Sequence, residues 1–235
     1  MGYYSSFIWC ILPALILGFI AQAVVKSKFN KYSRVRTYRG ITGAQAARQI
    51  LDTNGLYDVV VEETRGFLSD HYDPRSRTLR LSPDVARQPS VAAVGVAAHE
   101  AGHALQHAQG YIPLQIRSFM VPAVQFGTWL GPLVIISGIG LDILFRTSGL
   151  GIAIAWFGVI LYALVAVFAV VTLPVELDAS SRAKKLLYQY NIVDNQELAG
   201  VSSVLNAAAW TYVVAAIAAI LELARWILIL TGRRN

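Results

Sequence analysis

The sequence predicts a mainly α membrane protein: about four transmembrane helices joined to a small α+β domain on the cytoplasmic face. Three observations carry that expectation. Hydrophobic residues make up 55% of the chain and charged residues only 14%, with a mean hydropathy of +0.50, whereas an average soluble domain carries about 25% charged residues. Apolar runs recur at four places, each long enough to cross a bilayer, which takes ~20 residues of helix. The basic residues are unevenly placed as well. Of the 20, 13 fall between the first and second runs and three more between the third and fourth, the bias expected of cytoplasmic loops.

Residues 1–25 read as a membrane anchor, with an uncharged stretch from Phe7 to Val25. Ala21-Gln22-Ala23 resembles a signal-cleavage site. Against cleavage, no Lys or Arg precedes the run, and Lys26, Lys28, Lys31, Arg34, Arg36 and Arg39 follow it, a cluster that resists translocation and can grip anionic lipid. The anchor is therefore read as retained, with its N-terminus outside. The net charge of +6 does not point to nucleic acid, because no aromatic-interleaved basic platform accompanies the cluster. Cys10 is the single cysteine, so there is no disulfide framework, which fits a reducing compartment.

Residues 26–118 are predicted as the folded domain, since 40–118 hold the only long polar–apolar mixture. Thr42 to Thr53 has a capping residue, an apolar stripe of Ala46, Ala47, Ile50 and Leu51, and Gly55 as a stop, which together predict a helix. Tyr57 to Glu63 has β-branched strand character, and Thr78 to Ser82 alternates as a second short strand. Between them, Gly66-Phe67-Leu68 leads into Asp70-His71-Tyr72-Asp73-Pro74-Arg75, predicted as turn. Ser90 to Gln109 is predicted as a helix, capped by Ser90 and terminated at Gly110.

Residues 119–175 are predicted as a transmembrane hairpin, Phe119 to Phe145 and Leu150 to Val175, turning at Arg146-Thr147-Ser148-Gly149. Residues 176–206 return to polar character as a cytoplasmic helix beginning at Glu176, after Pro174. Residues 207–235 read as a transmembrane or interfacial helix. It holds Glu222 and Arg225, which can pair at i,i+3, and ends on Arg233-Arg234, whose charge opposes a full crossing.

The chemistry is concentrated in His99-Glu100-Ala101-Gly102-His103. Two imidazoles four residues apart share one helix face, a turn apart, close enough to bind one metal ion. Glu100 beside them is placed to act as general base for water that the metal activates, the arrangement of a metallopeptidase. The chain has only four His, which makes an accidental H-E-x-x-H on a merely polar helix improbable.

Catalytic zinc takes three protein ligands. His107 is two turns from His99, about 12 Å along the axis, too far for one ion with bonds of ~2 Å. It is read instead as a supporting or surface residue, and His71 as a hydrogen-bonding residue of its turn. That leaves a carboxylate as in other His₂Glu sites, with Glu176 the first candidate and Asp178 the reserve.

Four segments, D-H-Y-D-P-R (70–75), V-A-A-H-E-A-G-H-A-L-Q-H-A (96–108), L-P-V-E-L-D-A-S-S-R-A (173–183) and V-L-N-A-A-A-W-T-Y (204–212), resemble, in the same order, the YugP-type neutral zinc metallopeptidases of bacterial membranes. The resemblance covers nearly the whole chain. It implies a zincin-like catalytic domain of the gluzincin type, one Zn²⁺ held by His99, His103 and Glu176, and Glu100 as the catalytic base. That family is similar to heat-shock membrane proteases and CaaX-prenyl endopeptidases, which pair the motif with E-x-x-x-D. Here the chain departs: Ser180 stands where the supporting Asp would be, which leaves Asp178 as its possible substitute.

The expectation is thus a multi-pass protein of a bacterial plasma membrane, hydrolysing polypeptide substrates, membrane proteins included, on the cytoplasmic side. Its partners are that substrate and the lipid bilayer, with no nucleic acid. Three rivals are weaker. Cleavage inside the bilayer needs the motif in a spanning helix, yet only about eight apolar residues separate His99 from Arg87-Gln88-Pro89, where ~20 are required. A non-proteolytic scaffold or chaperone-like protein with a structural metal has no use for Glu100. A transporter is suggested only by Glu222 and Arg225, without paired broken repeats.

Overall fold

A computed structural model describes residues 7–66, 69–146 and 149–232. Within them, a π-helical turn (Phe7–Ile11) leads into α1 (Leu12–Tyr32), followed by α2 (Gly43–Thr53), β1 (Val60–Glu63), β2 (His71–Asp73), β3 (Thr78–Leu81), the single turn α3 (Pro83–Ala86) and α4 (Val91–Ala108). Three long helices complete the chain: α5 (Ile112–Phe145), α6 (Leu150–Gln189) and α7 (Asn195–Thr231). Among the described residues four helices are long and apolar enough to cross a membrane, spanning Ile8–Tyr32, Ile112–Phe145, Leu150–Gln189 and Asn195–Thr231. The fold is mainly helical with one small sheet, and four candidate spans are present.

Two of the predicted boundaries differ. Glu176 does not begin a helix, because α6 runs unbroken through Pro174. A helix-interior proline costs about 3 kcal/mol, and α6 bears it because Val175, Ala179, Ala183 and Leu187 are all buried on one face just beyond it. The Asp70–Arg75 stretch, predicted as turn, contains β2. That strand is short and polar and exists through its pairing with β3, which a single-segment reading does not see. Phe67, Leu68, Thr147, Ser148, Arg233 and Arg234, which entered the sequence reading, lie outside the described residues.

The chain divides into two compact units. One comprises Ala21–Gln115 and Pro174–Thr211. Its sheet has the order β1-β3-β2, with β1 parallel to β3 (Val60 opposite Thr78) and β2 antiparallel to it (Tyr72 opposite Leu79). Helix α2 opens with a reciprocal capping box, Thr42 accepting from Gln45 N and Gln45 accepting from Thr42 N, and its buried Ala46, Ala47, Ile50 and Leu51 meet Leu79 and Leu81 of β3 in the core. Fully burying an Ile or Leu side chain contributes roughly 1.5–3 kcal/mol. Helix α4 is the centre of this unit: 14 of its 18 residues are buried, so it needs small residues on every side rather than one apolar stripe. Ser90 caps it as expected, accepting from Ala93 N.

The second unit comprises Met1–Ile20, Ile116–Leu173 and Tyr212–Asn235. Within it α5 and α6 pack antiparallel by near-contact of backbones: a Cβ on Gly138 would fall 2.5 Å from the Gly151 carbonyl oxygen, and one on Gly158 would fall 2.8 Å from that of Gly131. Small residues at such crossings let membrane helices pack by van der Waals contact alone. Large apolar side chains point outward, among them Phe119, Trp129 and Leu144. Glu222 and Arg225 pair as the spacing predicted, Arg225 Nε donating to Glu222 at 2.8 Å, and the guanidinium lies 4.0 Å from the Trp226 ring centroid. Pairing is what lets a charged residue persist among apolar helices.

Candidate metal centre

His99 and His103 project from one face of α4 toward α6, where Glu176 projects back. What lets the helices come so close is Gly102. A Cβ there would fall 2.8 Å from the carbonyl oxygen of Ala179, far inside normal contact, so the residue inside the motif has to lack a side chain. Ala179 follows Glu176 by three positions, and the same crossing therefore delivers the carboxylate to the two imidazoles.

Glu176 Oε2 lies 3.2 Å from His99 Nε2 and 3.6 Å from His103 Nε2, and the three potential ligand atoms all fall within 4.8 Å of one another. Two ligands on a tetrahedral zinc with bonds of ~2 Å are separated by about 3.3 Å. The spacing and the His₂Glu donor set both fit such an ion. The Glu176 side chain is 3% exposed and those of His99 and His103 13% and 11%, so a buried carboxylate faces imidazole nitrogens with almost no water. A buried charge requires a partner, and a cation among these three atoms supplies it.

Around these residues lies a hydrogen-bonded layer. His103 Nδ1 is 2.9 Å from Gln106 Oε1, and His99 Nδ1 is 3.1 Å from Ser180 Oγ. Gln106 in turn donates to the Val175 carbonyl and to Asp178, and Arg182 donates to the same Asp178 oxygen. Burial works against a charged His103, yet the Glu176 hydrogen bond and the Glu100 charge outweigh it and hold its pKa above the ordinary imidazole value. Glu100 is buried beside the pair. Its charge also acts on Asp70, whose carboxyl is pushed up first by burial, against hydrogen bonds from the Ser82 backbone and hydroxyl.

The other candidates fall elsewhere. Asp178 supports Gln106 rather than the imidazoles. His71 is exposed, its Nδ1 2.8 Å from the Ser69 carbonyl, and His107 contacts the Tyr72 hydroxyl at 2.9 Å. Neither joins the group of ligand atoms. Sequence reasoning missed Gln106 and the direct role of Ser180. Gln106 stands at i+3 from His103, a helix-neighbour spacing that could have marked it. Ser180 was noticed only as a missing acid.

Comparison with known proteins agrees with this chemistry. The family described as "Putative neutral zinc metallopeptidase" matches residues 7–231. The chain is also 47% identical over 229 residues to the "Putative membrane protease YugP" of Bacillus subtilis (strain 168), covering 97% of this chain and 98% of that one. No solved structure matches.

Proposed function

The chain belongs to this zinc metallopeptidase family, and from that premise we propose that it is a membrane-embedded, gluzincin-type endopeptidase acting at the cytoplasmic membrane surface. The observation that carries the reading is the convergence of His99, His103 and Glu176 from two helices, with the buried Glu100 next in sequence to the first of them. One Zn²⁺ held by those three side chains would supply the Lewis acidity that polarises a scissile carbonyl and acidifies water. Glu100 takes the proton from the attacking water and delivers it to the leaving amine. The cytoplasmic placement is supported by the basic residues between the first two candidate spans and between the last two.

The sheet suggests where substrate lies. β2 is an edge strand, and its Tyr72 touches His107, one helical turn beyond His103. An extended polypeptide pairing along β2 would use the main-chain groups that an edge strand leaves open.

The test is metal content and cleavage of an unfolded polypeptide by the detergent-purified chain and its Glu100→Gln variant. Retained zinc with cleavage reduced roughly 10²–10⁴-fold, the range for loss of a general base, supports the proposal. Equal cleavage by both forms removes Glu100 from the reaction.

A further inference from the structure

The Gln106 side chain is fully buried, and its surroundings permit one orientation only. Its amide nitrogen has two acceptors, the Val175 carbonyl at 2.8 Å and the Asp178 carboxylate at 2.8 Å. Its oxygen faces His103 Nδ1 at 2.9 Å. Turning the amide over would set that oxygen against a carbonyl and a carboxylate, three acceptors without a hydrogen between them. The Oε1 atom must therefore accept, and His103 Nδ1 must carry the hydrogen. The lone pair of the ring then belongs to Nε2, the atom that faces Glu176. Which imidazole nitrogen is free for a metal is set by the bond that the other one makes.

We infer that Gln106 is a positioning residue that holds His103 as the Nδ1–H tautomer, with its own orientation dictated by Asp178 and the Val175 carbonyl. Asp178 is in turn held by Arg182, Nε to Oδ2 at 2.5 Å, and the Arg182 guanidinium also donates to Gln109, near the end of α4. The relay thus starts on α6, crosses to α4 and ends on Nδ1 of His103, the ring nitrogen opposite the one left free for the metal. One buried amide joins His103 to the main chain immediately before Glu176, so it registers two of the three ligands against each other. Gln106 touches neither substrate nor metal in this scheme and acts wholly through His103. The inference rests on the zinc reading, and the experiment separates the two.

The full-length chain in detergent is compared as wild type, Gln106→Met, Gln106→Glu and Gln106→Glu/Asp178→Asn. Zinc affinity is read by chelator competition, and the imidazole N–H signals of the zinc-loaded protein by ¹⁵N-resolved NMR. Gln106→Met keeps the length and removes both polar groups; zinc binding is expected to weaken about 10–100-fold, as for other supports of metal-bound histidines. The His103 Nδ1–H signal should move upfield with that of His99 unchanged. Gln106→Glu leaves the acceptor for His103 but opposes the introduced carboxylate to Asp178, and should also bind weakly. The double variant removes the opposition of two carboxylates, with the introduced amide donating, but leaves the Val175 carbonyl facing an acceptor, so affinity should rise above that of Gln106→Glu without reaching wild type. A general packing defect would not be repaired by that exchange. The inference is overturned if Gln106→Met binds zinc as wild type does with an unmoved His103 signal, or if the double variant is no tighter than Gln106→Glu. If wild type itself takes up no zinc, the zinc reading fails and this inference with it.

Discussion

The Ser180 hydroxyl lies 3.1 Å from Nδ1 of His99, one helical turn beyond Glu176. A single face of α6 therefore presents both a candidate metal ligand and a partner for the imidazole that shares the metal. In relatives carrying E-x-x-x-D an acid occupies that position, and a neutral hydroxyl here fills the same place with a weaker acceptor.

Ser180→Ala should lower zinc affinity by roughly tenfold, the lower end for loss of such a support, without altering the fold. Ser180→Asp supplies a charged acceptor, whose hydrogen bonds are about twice as strong, and should bind zinc at least as tightly as wild type. Chelator competition measures both. Equal affinity of Ser180→Ala and wild type would mean that this contact does not orient His99.

Glu176→Ala leaves two imidazoles without their carboxylate. Zinc content after gel filtration should drop to a small fraction of wild type, with cleavage lost in parallel. Asp178→Ala keeps all three ligands and should retain more metal than Glu176→Ala. The reverse order in a side-by-side metal analysis would transfer the ligand role to Asp178.

Gly102 has no room for a methyl group against Ala179. Gly102→Ala should cost about 1–3 kcal/mol, as over-packing does, by forcing α4 and α6 apart where the three ligands converge. Thermal unfolding should show the loss even after chelation, and zinc affinity should fall as well. Gly140 has nothing within 4 Å of an added Cβ, so Gly140→Ala is the matched control and should be nearly neutral. Comparable melting temperatures for the two variants would contradict the close-packing account.

Asp73 sets an acid limit. Its carboxyl is held down from 3.8 to about 2, first by the Ser76 hydroxyl, then by the Arg75 backbone N–H, with Arg80 adding to both. A depressed native pKa means that the unfolded chain binds more protons in this range, so stability falls as pH decreases. The contribution is fully present above about pH 4 and is lost as pH falls through about 2. Between those limits wild type should lose stability more steeply than Asp73→Asn in denaturant titrations followed by circular dichroism. Because the site is at the surface, only the difference in slope matters; parallel slopes would contradict the assignment.

Local physics made much of this protein legible in the primary structure. Apolar runs of spanning length, the Thr42 and Ser90 caps, and the pairing of Glu222 with Arg225 each depend on neighbours within a few residues. So does the placing of His99 and His103 on one face, since 3.6 residues per turn requires it. Glu176 could be nominated from ligand chemistry alone, by eliminating His71 and His107. Tertiary packing decided the rest. β2 forms only because β3 lies beside it, and α6 continues through Pro174 only because its far side is buried. Gln106, Ser180 and Asp178 acquire their partners only where Gly102 lets two helices touch. Those contacts join residues about 70 to 80 positions apart, and spacing along a chain says nothing of distance in space until the intervening segments have packed.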